Sequence, residues 1–149
     1  MAEQSLNFGV LGPLLVTVAG TPVALGAAKR RAVLAMLLVN RNHPVATDTL
    51  INAVWGESPV PAARTSIHSH VSTLRRLFSD AGVDGARILA SAPPGYQLNV
   101  ADADLDLGRF VAAKSAGLSA ATAGNFEEAS RHLTAALAQW RGEVLADLR

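Results

Sequence analysis

The stretch RTSIHSHVSTLRRLF, residues 64–78, decides how the chain folds. Ile67, Val71, Leu74 and Phe78 stand at spacings of four, three and four, so a helix puts them on one face and buries it. At about 100° per residue the opposite face presents Thr65, Ser69, Ser72, Thr73 and Arg76, with His68 at its edge. Small hydroxyls let a helix come close to base edges, while Arg75 and Arg76 reach phosphate or guanine. The same residue types also make an ordinary solvated face, and the helix alone does not choose between the two.

The residues that follow weigh toward the first. Arg87–Ala90 and Tyr96–Val100 are β-like and flank Ser91-Ala92-Pro93-Pro94-Gly95, which predicts a hairpin. A helix followed by a Gly/Pro-tipped hairpin is the layout of a winged helix, whose wing touches the DNA backbone or minor groove.

Working back toward the N-terminus, the loop Gly56–Pro61 separates this helix from a shorter one. That helix is expected to be capped by Thr47, with Leu50, Ile51, Val54 and Trp55 on its apolar side. Asn42-His43-Pro44 breaks it from a first helix running from Ala27 to about Asn40, where Val33, Leu34, Leu37 and Leu38 recur at helical spacing. Lys29, Arg30 and Arg31 fall in its first turn, where positive charge opposes the helix dipole by a few tenths of a kcal/mol. A phosphate, an acidic partner or a solvated face would each account for them. Phe8–Leu25 reads as short strands, with a turn at Ala19-Gly20-Thr21-Pro22 and an end at Gly26.

Beyond residue 100 the character changes. Asp102, Asp104 and Asp106 crowd one short segment, and two helical stretches follow, Leu107–Ala123 and Phe126–Trp140, broken at Gly124-Asn125. The aspartates superficially suggest a calcium loop, but a register starting at Asp102 needs Gly at 107 and Glu at 113, where Leu107 and Ala113 stand. Asp104 or Asp106 capping the next helix is the better account. The expected organisation is a flexible start over residues 1–7, a winged helix-turn-helix over 8–100, and the start of an all-helical, tetratricopeptide-like unit over 101–149. The fold class is α+β.

Composition narrows the function classes. Half the residues are hydrophobic and 17% are charged, enough for a core and too apolar for a disordered chain. The absence of cysteine removes disulfides, thiolate catalysis and cysteine-bearing zinc sites. No signal peptide is visible at the N-terminus, and the apolar run Val33–Val39 falls far short of the roughly 20 residues that span a bilayer. A soluble, cytoplasmic protein without membrane partners is expected. Residues 1–100 carry eight Lys/Arg against five Asp/Glu, and residues 101–149 five against seven, so the front is mildly basic, as suits a polyanion partner. No phosphate loop, Gly-rich dinucleotide turn or G-x-S-x-G elbow occurs, and nothing points to an enzyme, a cofactor or a metal. His68 and His70, two apart on a helix, point in different directions and make poor metal partners; His70 is expected at a core edge.

In combination these motifs resemble a known family. Trp55-Gly56, RTSIHSHVSTLRRLF at 64–78 and PPGYQL at 93–98 resemble the response-regulator type of winged helix. FGVLGPLLVTVAGTPVAL at 8–25 and KRRAVLAMLLVNRN at 29–42 narrow the resemblance to the antibiotic regulatory protein (SARP) family of actinobacterial transcriptional activators. LDLGRFVAAKSAG at 105–117 and GNFEEASRHLTAALAQWRG at 124–142 are similar to the first repeats of that family's bacterial transcriptional activation domain.

The resemblance implies an N-terminal antiparallel sheet, three helices and a C-terminal wing, with the third helix in the major groove. His68, Ser69, Ser72 and Thr73 would then face bases, and Thr65, Arg75 and Arg76 would serve phosphates. Trp55 matches a position that contacts backbone, and Tyr96 lies where the wing returns. Arg64, Thr47 and Ser91 complete the expected DNA-binding set. For Trp55 and Tyr96, core packing is the standing alternative. Two departures from the family pattern matter: Thr73 stands where arginine is frequent, and the wing tip Ser91–Gly95 carries no arginine. The implied partners are double-stranded promoter DNA read as direct repeats by head-to-tail protomers, and RNA polymerase. A protein-interaction module that uses the helix pair, with weak or lost DNA binding, is the competing function.

Overall fold

In the computed structural model, which describes residues 5–148, the periodicity of residues 64–78 becomes an 18-residue helix, α3 (Ala63–Asp80). Before it come β1 (Leu6–Gly9), β2 (Leu15–Val18), β3 (Thr21–Pro22), α1 (Ala28–Val39), β4 (Val45–Ala46) and α2 (Thr47–Trp55). After it come α4 (Gly85–Ile88), β5 (Leu89–Ala92), β6 (Gly95–Leu98), α5 (Asp106–Thr122) and α6 (Phe126–Ala138), with short 3-10 turns at Asp102–Asp104 and Ala146–Leu148. The class is α+β, with β2 paired antiparallel to β3 and a three-stranded sheet of order β4-β6-β5. Of the flexible start expected over residues 1–7, residues 1–4 lie outside the described residues, and β1 begins at Leu6.

The chain divides into two compact units, one made principally of residues 16–100 and the other of residues 7–15 with 101–147. In the first, the three main helices each turn an apolar stripe inward: Val33, Leu34, Leu37 and Leu38 from α1, Leu50 from α2, and Ile67, Val71, Leu74 and Phe78 from α3. Burying such a set contributes roughly 1.5–3 kcal/mol per large side chain and is the main stabilising term. Asn42 stands in the left-handed conformation, φ 67°, after α1. Its side chain then clamps Val100, donating to the carbonyl at 2.8 Å and accepting from the amide at 2.9 Å. The helix breaker of the sequence is thus also a tie to the end of the wing.

The wing is broader than the expected hairpin. β5 and β6 pair antiparallel, with Ser91 opposite Tyr96 and Ala92 opposite Gly95, and Pro93-Pro94 make the turn. β4 adds a third strand, Val45 opposite Tyr96 and Ala46 opposite Gly95. Only glycine fits at 95, because a Cβ there would lie 1.8 Å from the carbonyl oxygen of Val45. The β-like expectation for Arg87–Ala90 is corrected at its start. The Asp84 carboxylate accepts from the Arg87 amide at 3.2 Å and nucleates α4, so the strand begins only at Leu89. Thr47 is not a cap either. Ala46 holds the cap position, and the buried Thr47 hydroxyl donates to the Pro94 carbonyl at 3.0 Å, fastening the start of α2 to the wing turn.

In the second unit α5 packs on α6, with Gly117 leaving the space that the Leu133 side chain fills. Phe110 meets Trp140 edge to face, ring centres 5.5 Å apart. Asp106 corrects the capping expectation: Leu105 holds the cap position, and the Asp106 carboxylate, which also accepts from the Leu107 amide in the first turn of α5 at 2.8 Å, faces the strand segment of the same unit. It accepts from the Val10 amide at 2.9 Å and the Leu11 amide at 2.9 Å, while 4% exposed. The segment is held further along its length. Arg141 and Leu145 amides donate to the Leu11 and Val10 carbonyls, and the Leu14 amide donates to Asp147.

Candidate nucleic-acid interface

α3 has three faces, and they do different things. Ile67, Val71, Leu74 and Phe78 are fully buried. Thr65, Ser69, Ser72 and Arg76 are exposed on the side opposite them, with Thr73 half-buried beside them. Between these two faces, on the side of the wing, lies a stripe of Arg64, His68 and Arg75.

That stripe is engaged. The Arg75 Nε donates to the Leu89 carbonyl at 2.8 Å and its Nη2 to the Ser91 hydroxyl at 3.0 Å, while the guanidinium sits 5.5 Å from the Tyr96 ring centre. His68 joins its Nδ1 to the Tyr96 hydroxyl, the two rings meeting edge to face at 5.8 Å. Arg64 pairs with Asp48 of α2. Both partners are largely exposed, so this ion pair adds little stability.

The sequence-derived set is therefore brought together, but in two groups. Thr47, Arg64, His68, Ser91 and Tyr96 line one cleft of about 370 Å³, closed at the wing turn by Pro93, Pro94 and Gly95. Thr65, Ser69, Ser72, Thr73 and Arg76 lie on the outward face of α3, and Trp55 is half-buried at the end of α2. Tyr96 is 9% exposed: its ring is packed and its hydroxyl is held by His68.

Asp48 and the three residues of the wing turn were absent from the sequence-derived set. Asp48 carries no local signal, since its partner stands sixteen positions away. The strand that widens the wing could have been suspected from β-branched Val45 after Pro44.

At the other flank of α3, His70 is half-buried and its Nδ1 is enclosed with no hydrogen-bond partner. Burial first, and then the positive charges of Arg30 and Lys29, hold its pKa below the ordinary value of 6.5. The basic first turn of α1 has a local explanation: Arg30 donates to the Leu25 carbonyl at 2.9 Å and Arg31 to the Gly26 carbonyl at 3.0 Å, tying the helix to the loop before it. Among the described residues no helix is long and apolar enough to cross a membrane, and no group of three or more His, Asp or Glu side chains is placed to hold a metal ion.

Comparison with known proteins gives this geometry a family. Residues 20–98 match the family described as "Transcriptional regulatory protein, C terminal", and residues 105–149 match the bacterial transcriptional activator domain. The chain is 60% identical over 147 residues to the transcriptional regulatory protein EmbR of Mycobacterium tuberculosis, covering 99% of this chain and 38% of that protein. It is 53% identical to the transcriptional regulatory protein MoaR1 of the same species, covering 97% of this chain and 47% of the relative. To the regulatory protein AfsR of Streptomyces coelicolor it is 38% identical, covering 95% of this chain and 14% of the relative. The solved structure of Mycobacterium tuberculosis EmbR in complex with a low affinity phosphopeptide superposes with a TM-score of 0.96 at 60% identity, covering 99% of this chain and 39% of that one. The chain thus spans less than half the length of each of these relatives. With a regulatory-protein C-terminal domain followed by a bacterial transcriptional activator domain, and with these relatives, the chain belongs to the antibiotic regulatory protein family of transcriptional regulators.

Proposed function

We propose that this chain binds double-stranded promoter DNA and regulates transcription, as an activator, with α3 in the major groove. The observation that carries the reading is the outward face of α3, where Thr65, Ser69, Ser72 and Arg76 stand exposed directly opposite a fully buried apolar stripe. A rigid helix with short polar side chains outward and a wing beside it fits the groove and has no obvious use in a core. Of the expected 8–100 domain, residues 16–100 act as the DNA-binding body, and residues 101–149, with the segment 7–15 packed among them, act as the opening of the activation domain. Ser69, Ser72 and Thr73 read base edges, with His68 at their margin, and Thr65 and Arg76 hold phosphates. Trp55 approaches the backbone from the end of α2. Protomers bind direct repeats head to tail, about one DNA turn or 10–11 bp apart, and engage RNA polymerase. The protein works in the cytoplasm and catalyses no reaction.

Fluorescence anisotropy against a candidate promoter and a scrambled duplex, at several salt concentrations, tests this. Preference for the promoter with a steep salt slope is expected, and Arg76→Ala should lower that slope by about one unit. No binding to either duplex at low salt would overturn the reading. It would favour the protein-interaction function, for which the exposed Phe126 and Leu137 of α6 and Leu118 of α5 provide apolar surface.

A further inference from the structure

Arg75 and Arg76 are neighbours in sequence with the same charge, and on a helix they point about 100° apart. Arg76 is exposed on the outward face. Arg75 lies along the wing, where three contacts converge on one side chain: the Leu89 carbonyl at 2.8 Å, the Ser91 hydroxyl at 3.0 Å and the Tyr96 ring at 5.5 Å. Leu89 and Ser91 belong to β5, and Tyr96 is the cross-strand partner of Ser91 on β6. The guanidinium therefore holds both strands of the hairpin at once. Two helical turns earlier, His68 takes the Tyr96 hydroxyl from the same stripe of α3.

We propose that Arg75 is a positioning residue that clasps the wing to α3 and sets the wing's angle, and that it is not itself a phosphate contact. His68 is the second point of this clasp. The inference rests on the DNA-binding reading for its purpose, though the clasp is a property of the free protein. A wing held at two points along α3 meets DNA already oriented, so less ordering is needed on binding. The wing tip carries no arginine, and its contribution must come from how its backbone is placed. The fork geometry matters, because Nε and Nη2 of one guanidinium reach two acceptors on the same strand and a lysine ammonium cannot.

The test uses the whole chain with Arg75→Ala, Arg75→Lys and Ser91→Ala. Hydrogen–deuterium exchange without DNA is read at the amides of β5 and β6, with those of α1 as the folding control. Exchange in the wing should rise at least about tenfold in both Arg75 variants, and less in Ser91→Ala, with α1 unchanged. DNA affinity should fall in both Arg75 variants while the salt slope stays at the wild-type value. Unchanged wing exchange in all three variants would overturn the proposal. So would a slope lowered by about one in Arg75→Ala and restored by Arg75→Lys, since that is the behaviour of a phosphate contact. If Arg75→Ala disturbs α1, Ser91→Ala decides, because it removes one acceptor and leaves the helix untouched. Failure of the wild-type chain to bind DNA would sink the proposed function and still leave the exchange experiment to decide the clasp.

Discussion

Replacing Asp106 should unfasten the strand segment of residues 7–15 from the helical unit it belongs to. The carboxylate is 4% exposed and accepts from the amides of Val10 and Leu11, both themselves in the core. In Asp106→Ala these two amides lose their acceptor without gaining water, at about 1–3 kcal/mol each, while the Leu107 amide, also bonded to Oδ1, is half-buried and can turn to water. The Arg141 guanidinium lies 3.8 Å from Oδ2 but is 35% exposed, so its loss as a partner adds only a few tenths. The expected destabilisation is about 4 kcal/mol, or a fall in Tm of roughly 8–15 °C for a chain of this size. Asp106→Asn keeps one acceptor oxygen and turns an amide donor toward the second N–H, so about 2 kcal/mol is expected. Urea denaturation followed by circular dichroism measures both, and hydrogen exchange at Val10 and Leu11 shows whether the loss is local to the segment. The reasoning fails if Asp106→Ala costs under about 1 kcal/mol, or if asparagine is no better tolerated than alanine.

His70 makes stability depend on pH in a defined direction. Its pKa in the fold lies below 6.5, so as pH falls past that value the unfolded chain takes the proton first. Above it both states are neutral and the group contributes no pH dependence; below it stability declines until the lowered folded value is passed. His70→Gln should flatten this decline below about pH 6.5, seen as a smaller change in urea midpoint than the wild type shows; identical profiles would show that His70 is not the group responsible. Gly95→Ala should be far costlier than its single methyl suggests, about 3 kcal/mol or a failure to fold, because the new Cβ would meet the Val45 carbonyl and force β4 off β6. A change in urea midpoint equivalent to less than 0.5 kcal/mol would mean that the two strands are not closely paired.

What could be read in advance was whatever one element decides alone. The apolar period of α3 needs no partner to be recognised, and Ile67, Val71, Leu74 and Phe78 are buried where the spacing puts them. The wing turn announced itself through Pro93-Pro94-Gly95. What could not be read was set between distant residues. The Asp106 carboxylate finds amides 96 and 95 positions away, and its place beside a helix start made it look like a cap. Thr47 deceived in the same way, since its acceptor is a carbonyl 47 positions on. Both are short polar side chains at helix starts, and such residues satisfy local or remote partners equally well. At the candidate site, spacing separated the buried face of α3 from the polar one. It could not divide the polar face into an outward part and a part held by the wing, because that division depends on where β5 and β6 come to rest.

That division bears on how the protein would discriminate between sequences. A helix turns about 100° per residue, so the pair Arg75-Arg76 cannot serve one phosphate together, and the wing has drawn one of them away. With threonine at 73, Arg76 is the only Lys or Arg on the outward face between Thr65 and Arg76. On the proposed reading the hydroxyls of Ser69, Ser72 and Thr73 supply the base contacts, and a hydroxyl both donates and accepts, so each one would discriminate bases less sharply than a bidentate arginine on guanine. Selectivity on such a surface must come from several weak contacts held in strict register. That requires a helix whose rotation about its own axis is fixed. The buried stripe fixes it from below, and Arg75 and His68 fix it against the wing from the side. On the proposed reading, the residues held by the wing would be the ones that make weak base contacts informative.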